Sequence, residues 1–364
     1  MRHVSVFKLS SKGGSAVQKY ATRMGDGFRI ELTEDEIKHD IEEGANDASE
    51  KGKISPLSED DLKRLLEIFK CPDKSVGVKR GNEVILSYDS GTTKFKRANV
   101  SVSKIQSLQI YERLIGADTL ELAHIDYSFK PVKPIVVFEQ PILEQALLMT
   151  IPPLFYGAMP NLGLYSQPDG PCENPADLLP KGKIDQARES YEKQIEYAVK
   201  DMVYVGGQMY EAGADGINFD TTGAAGDAEF FAALKAVEIL RKKYPAMCIQ
   251  MGMAGEFVLG MHSELYYDDT RLAGLYSHKQ LELAQEAGVT IFGPTVNIVT
   301  GKSLPWNIAR AVTFTKACTE IAEIPVHACM GMGVGGVPLT LSPPVDALTR
   351  ASKAMVEITR LDGL

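Results

Sequence analysis

From about residue 117 onward the chain repeats one pattern: a short apolar run that ends in polar residues, followed by a stretch of helical period. The runs cover 119–124, 153–157, 216–220, 247–251, 289–293 and 325–329. The helical stretches fall near 185–212, 227–243, 270–287, 305–321 and 344–359. Short strands joined by crossover helices form a parallel sheet, and runs this apolar are expected to be buried on both faces. Six such units and the opening of a seventh fit an α/β fold of the (β/α)8 TIM-barrel type, incomplete at the C-terminus. A doubly wound open sheet is the alternative, because periodicity does not register closure.

The upstream part is built differently. Residues 1–19 show no clear periodicity and read as a flexible leader. Thr33 and Glu36 stand at capping-box spacing, and Ile37 and Ile41 share the face of the helix they would start. A second helix is expected from Ser58, with Asp61 three residues on, to Lys70; Leu62, Leu65, Leu66 and Phe69 line its apolar side. Val76-Gly-Val78 and Val84-Ile-Leu86 flank Lys79-Arg-Gly-Asn82, which predicts a β-hairpin. Residues 20–110 are therefore expected to form a small α+β cap, and 111–364 the partial barrel. The final Leu361-Asp-Gly-Leu364 repeats the strand-opening cue of Asp215-Gly216, so the chain reads as cut where a seventh strand begins. A sheet cut there would have two open parallel edges and a tendency to aggregate.

Net charge is −9, with 39 basic against 48 acidic residues, which argues against nucleic acid or an anionic membrane surface as main partner. The five cysteines (Cys71, Cys172, Cys248, Cys318, Cys329) are scattered and never form a Cys-x-x-Cys pair, so a reducing cytosol is expected. The N-terminus has basic residues but no apolar core after them, so it is no signal peptide. The apolar stretch 134–159 is broken by Glu139, Glu144 and prolines and does not read as a membrane span.

In a barrel, chemistry gathers where strands end. Those positions carry His124, Asp126 and Tyr127; Tyr156 and Asn161; Asp220; Glu256 and His262; Asn297; and His327 with Cys329 before Gly331, Gly333, Gly335 and Gly336. Asp126 and Glu256 lead from buried strands into Gly- or Pro-rich turns and are the stronger functional candidates. Asp220 and Asp227 could equally cap the following helix, and Asp227 is read chiefly as a cap. The histidines read first as structural. Gly331-Met-Gly-Val-Gly-Gly336 spells a dinucleotide fingerprint, but Pro338 and Ser342-Pro-Pro344 follow where a helix should open. His327-x-Cys329 could begin a zinc site, yet no partner cysteine follows, so no metal is assigned.

Several strings are long and idiosyncratic. Tyr20-Ala-Thr-Arg-Met-Gly-Asp-Gly27, Gly116-Ala-Asp-Thr-Leu-Glu-Leu-Ala-His-Ile-Asp-Tyr-Ser-Phe-Lys-Pro-Val-Lys-Pro134, Pro153-Leu-Phe-Tyr-Gly-Ala-Met-Pro-Asn161, Gly213-Ala-Asp-Gly-Ile-Asn-Phe-Asp-Thr-Thr222, Gly252-Met-Ala-Gly-Glu256, Leu259-Gly-Met-His262, Met330-Gly-Met-Gly-Val-Gly-Gly336 and Thr349-Arg-Ala-Ser-Lys-Ala-Met-Val-Glu357 resemble the dimethylamine:corrinoid methyltransferases. The resemblance runs in order from about residue 20 to the last residue.

The resemblance implies methyl transfer from dimethylamine to the Co(I) corrinoid of a cognate partner protein, releasing methylamine. It implies no tightly bound cofactor and a homo-oligomeric full-length protein. It also implies a pyrrolysine, read from an amber codon, shortly after Leu361-Asp-Gly-Leu364. The 364-residue chain is then expected to be inactive alone. On this reading Glu256 is the acid beside the pyrrolysine imine. His124, Asp126, Tyr127, Tyr156, Asn161, Asp220, His262, Asn297 and His327 line the substrate pocket, and Gly331, Gly333, Gly335 and Gly336 leave room for corrinoid docking. Two alternatives stay open: a pyrrolysine-independent barrel enzyme acting on another methylated amine, and a non-catalytic fragment that binds the corrinoid protein.

Overall fold

The computed structural model describes residues 17–79, 81–82, 84, 93–95, 100–102, 155–158, 162–224, 226–254, 257–296, 301–330 and 344–364. It opens with β1 (Lys19–Arg23) and β2 (Arg29–Thr33), an antiparallel pair turned by Gly27 at φ 85°. Next come α1 (Glu34–Gly52) and α2 (Glu59–Lys70). Both begin with a complete capping box, Thr33 with Glu36 and Ser58 with Asp61. Three acidic residues fill the first turn of each and a lysine the last, matching the helix dipole at both ends. β3 (Thr93–Phe95) and β4 (Val100–Val102) form a second antiparallel pair.

The main sheet is parallel. Its strands are β5 (Phe155–Ala158), β6 (Gly216–Thr222), β7 (Cys248–Met253) and, after the short antiparallel pair β8 (Tyr266–Tyr267) and β9 (Thr270–Arg271), β10 (Ile291–Gly293). The connecting helices are α3 (Ile184–Glu211), α4 (Gly226–Lys243) and α5 (Ser277–Ala287), with α6 (Leu304–Ile321) and α7 (Val345–Ala354) downstream. Parallel bridges Phe292↔Val326 and His327↔Gly363 extend the ladder beyond β10. Spatial order therefore follows chain order from 155 to 363, and the described strands contain no reversal of the kind a doubly wound sheet needs.

The two faces of this sheet differ. Ile217, Phe219, Ile249, Met251, Phe292 and Val326 are all buried in the hydrophobic core. Ile217 lies under α3, where a Cβ on Gly206 would stand 3.3 Å from its Cδ1. The alternate residues Asn218, Asp220, Gln250 and Gly252 form the other, polar face; Asn218 stands in register with Gln250. The strands were expected to be buried on both faces, and they are: on the polar face Asn218 is 2% and Gln250 8% exposed.

α6 sits at the centre of the helical packing, buried around most of its circumference. It rests on α1 through Gly44, where an added Cβ would lie 2.2 Å from the Trp306 carbonyl oxygen. A row of polar contacts lies beside this seam: Ser303 Oγ donates to Asp40 at 2.6 Å, Arg310 pairs with Asp47 at 2.8 Å, and Lys316 pairs with Asp61 at 2.6 Å. α7 is tied to the N-terminal hairpin by Arg23 and to α2 by the Arg64–Glu357 pair just beyond its last turn. The N-terminal helices and the parallel sheet thus share one hydrophobic core. Among the described residues, no helix is long and apolar enough to cross a membrane.

Three expected elements shift. The helix expected over 270–287 begins at Ser277, because the residues before it make the β8–β9 hairpin, turned at Asp268 with φ 48°. The segment expected over 344–359 is α-helical to Ala354 and then widens to a π-turn over Met355–Thr359. Val76 to Val78 belong to no strand and Asn82 N donates to Lys79 O at 3.0 Å, while Arg80, Ile85 and Leu86 of the expected hairpin lie outside the described residues. The expected strand over 119–124 lies outside the described residues.

Candidate functional site

The carboxyl ends of β6 and β7 bring polar groups over a floor of glycine. The β6–β7 ladder slips between Phe219 and Thr222, and Asp220 sits within that irregularity. Asp220 Oδ1 lies 3.4 Å, and Asn218 Oδ1 3.7 Å, from the point a Cβ would occupy on Gly252. Gly252 stands in register with Gly293 of β10. At Gly293 a Cβ would meet the His327 carbonyl oxygen at 2.9 Å and Gly252 Cα at 3.3 Å, so the strands approach there only because the residue is glycine. Asn218 is 2% exposed, and its Oδ1 has no hydrogen-bond partner among the described residues. Two residues past β10, Thr295 Oγ1 is likewise buried without one.

The loop after β6 leads through Gly223 (φ 84°) and Gly226 (φ 69°) into α4. Asp227 follows, fully buried. Its carboxylate accepts backbone N–H groups from His262 at 2.7 Å, Ser263 at 3.0 Å and Leu265 at 3.2 Å. Asp227 therefore staples the loop after β7 to the start of α4, and the expectation of a helix cap is corrected. The reason is reach: the helix already begins at Gly226, so the side chain points across to the neighbouring loop. Gly226 makes that approach possible, since a Cβ there would stand 2.6 Å from Gly260 O.

His262 is exposed, and its ring meets Tyr191 of α3 edge-on at 6.1 Å. Burial, then the nearby Asp227 charge, pushes the Tyr191 hydroxyl above its usual range. His327 is half-buried and pairs through its backbone with Gly363. Tyr156 lies on β5 opposite Ile217. His124, Asp126, Tyr127, Asn161, Glu256, Asn297, Gly331, Gly333, Gly335 and Gly336 lie outside the described residues. Of the expected site residues, Asp220 on β6 and His327 beyond β10 stand at strand ends separated by β7 with Gly252 and β10 with Gly293, while His262 packs beside α3.

Asn218 and Gln250 were missed. The signal was present: in Gly216-Ile-Asn-Phe-Asp220 and Cys248-Ile-Gln-Met-Gly252 polar or small residues alternate with large apolar ones. A separate groove of about 580 Å³ lies between β1, the turn after α2 and the start of α7. Its buried Arg350 is occupied by the Cys71 and Asp73 carbonyls, and its Arg23 by Asp346. Among the described residues, no three His, Cys, Asp or Glu side chains gather as a metal would need.

Fold and site together define a mixed α/β protein that presents polar groups at the carboxyl ends of sequential parallel strands. Residues 18–364 match the family model described as dimethylamine methyltransferase (Dimeth_PyL), and the chain belongs to that family. It is a methyltransferase, as the resemblance implied.

Proposed function

We propose that this protein transfers a methyl group from dimethylamine to the Co(I) corrinoid of a partner protein. In that reaction the cobalt electron pair forms the Co–C bond as the C–N bond breaks, and nitrogen leaves with the C–N pair and a proton as methylamine. The observation that carries the reading is Asp220, a carboxylate held at a strand end over Gly252, where a cationic amine would be retained. The family supplies the substrate class. The strand order supports a (β/α)8 barrel behind the site. On this reading residues 1–19 are a leader, 20–110 a cap and 111–364 the barrel part.

On this reading the covalent activation comes from a pyrrolysine, which is not among the 364 residues. The chain's own residues do the rest. Asp220, with His124 and Asp126, retains the ammonium, whose own proton leaves with methylamine, and Glu256 is the acid beside the imine nitrogen. Tyr127, Tyr156, Asn161, His262, Asn297 and His327 shape the pocket. Gly331, Gly333, Gly335 and Gly336 admit the corrin ring or its carrier.

The test is a methyl-transfer assay with reduced corrinoid protein. It compares the full-length protein with its Glu256→Gln variant. Dimethylamine-dependent loss of the Co(I) spectrum with release of methylamine, in the full-length protein and not in its Glu256→Gln variant, is the expected result. Transfer from a different methylated amine, or unchanged turnover in Glu256→Gln, would overturn the corresponding part.

A further inference from the structure

We infer that Asn218 and Asp220 together form the recognition site for a secondary ammonium, each accepting one of its two N–H bonds; this rests on the reading that dimethylamine is the methyl donor. The two residues stand i, i+2 on β6, so both side chains belong to its polar face. Both oxygens lie within 4 Å of one point above Gly252, where the absence of a side chain leaves space. Asn218 Oδ1 is buried and unpartnered among the described residues. Leaving a buried acceptor unpaired is costly, and such an atom in a family that acts on an amine points to a ligand donor. A carboxylate offers about four lone-pair positions, so Asp220 can take a ligand N–H in addition to its protein contacts.

The pairing sets specificity. Protonated dimethylamine has two N–H bonds and fills both acceptors. Protonated trimethylamine has one, and would leave either Asn218 Oδ1 or the carboxylate unpaired in a dry site. Sites built to hydrogen-bond a substrate reject analogues that lack the donor far more strongly than sites that discriminate by shape.

The experiment compares wild type, Asn218→Ala, Asn218→Leu and Asn218→Asp in the full-length protein. It measures KM and kcat with dimethylamine and trimethylamine, and melting temperature. Asn218→Ala and Asn218→Leu are expected to raise KM for dimethylamine about tenfold, with kcat changed less than about threefold. They should also narrow the preference over trimethylamine and melt no lower than wild type, because the orphan acceptor is gone. Asn218→Asp keeps an acceptor and should raise KM less than Asn218→Ala does, which leaves a folded comparison if Asn218→Leu fails to fold. A KM within about twofold of wild type in folded Asn218→Ala would overturn the inference and leave the methyl-transfer reading standing. If wild type transfers nothing from dimethylamine, that reading fails, and calorimetric titration with dimethylammonium chloride then decides. Binding to wild type and not to Asn218→Ala would support the ammonium site; equal or absent binding, as for a site holding only a water, would overturn it.

Discussion

The Asp227 carboxylate receives the backbone N–H of His262 at 2.7 Å from a loop 35 residues away. With Ser263 and Leu265 it takes three such bonds. Hydrogen bonds to a charged group contribute about 1.5–3 kcal/mol each, so Asp227→Ala should lose about 3 kcal/mol or more. Asp227→Asn keeps an acceptor and should lose less. Urea denaturation gives the totals, and hydrogen exchange at residues 262–265 should show the loss of protection locally. Unchanged protection there would mean the loop is held by something else.

Gly44→Ala tests the α1–α6 seam. In an exposed helix the change gains about 1 kcal/mol from propensity. Here the new Cβ would stand 2.2 Å from a carbonyl oxygen, so the sign reverses. A loss of about 1–3 kcal/mol is expected. Glu50→Ala, exposed on the same helix, should be close to neutral. Equal melting temperatures for the two variants would refute the close approach.

Stability should fall in acid. Burial alone would raise the Asp346 carboxyl, but the hydrogen bonds and charge of Arg23 outweigh it and hold the group below the usual carboxylate range. Burial also opposes ionisation at Asp61, where Lys316 and Ser58 prevail. A carboxylate with a lowered folded pKa contributes stability above its unfolded value, about pH 4, and loses it as pH falls through the folded value. Arg23→Gln should therefore flatten the dependence of the denaturation midpoint on pH below about 4. An unaltered slope would assign the acid sensitivity to other groups.

Two glycines of the sheet should respond in opposite ways. Gly293→Ala forces a Cβ to 2.9 Å from the His327 carbonyl and should lower the melting temperature. Gly252→Ala reaches only ordinary contact with Asp220 Oδ1 at 3.4 Å, so it should fold normally. It fills the point between Asn218 and Asp220, however, and should reduce methyl transfer. Calorimetry and the transfer assay on both variants separate the two effects, and an active Gly252→Ala would move the substrate away from this position.

What the sequence made legible follows the range of the interactions. The capping boxes at Thr33 and Ser58 are local, and both helices start where those residues place them. The repeated strand–helix pattern is likewise local, and the parallel sheet follows from it. Asp227 was misread because its partners lie in another loop, and no spacing within α4 reveals them. The start of α5 was misplaced because β9 and the turn at Gly274 occupy the first residues of a stretch that still has helical period. Asp220 was named as a candidate from its position at a strand end, and the structure places it there beside Gly252. Asn218 was not named, because one polar residue inside an apolar run looks like noise until the pleat assigns it a face.

Gly252 and Gly293 give the space beside Asp220 a wall of bare peptide. Such a wall has no rotamers to restrict when a molecule settles against it. A small amine bound there would leave the protein nearly as free as before, and recognition would not draw on side-chain entropy at these two positions. Its selectivity would then reside in where the few fixed oxygens stand rather than in any closing motion around the guest.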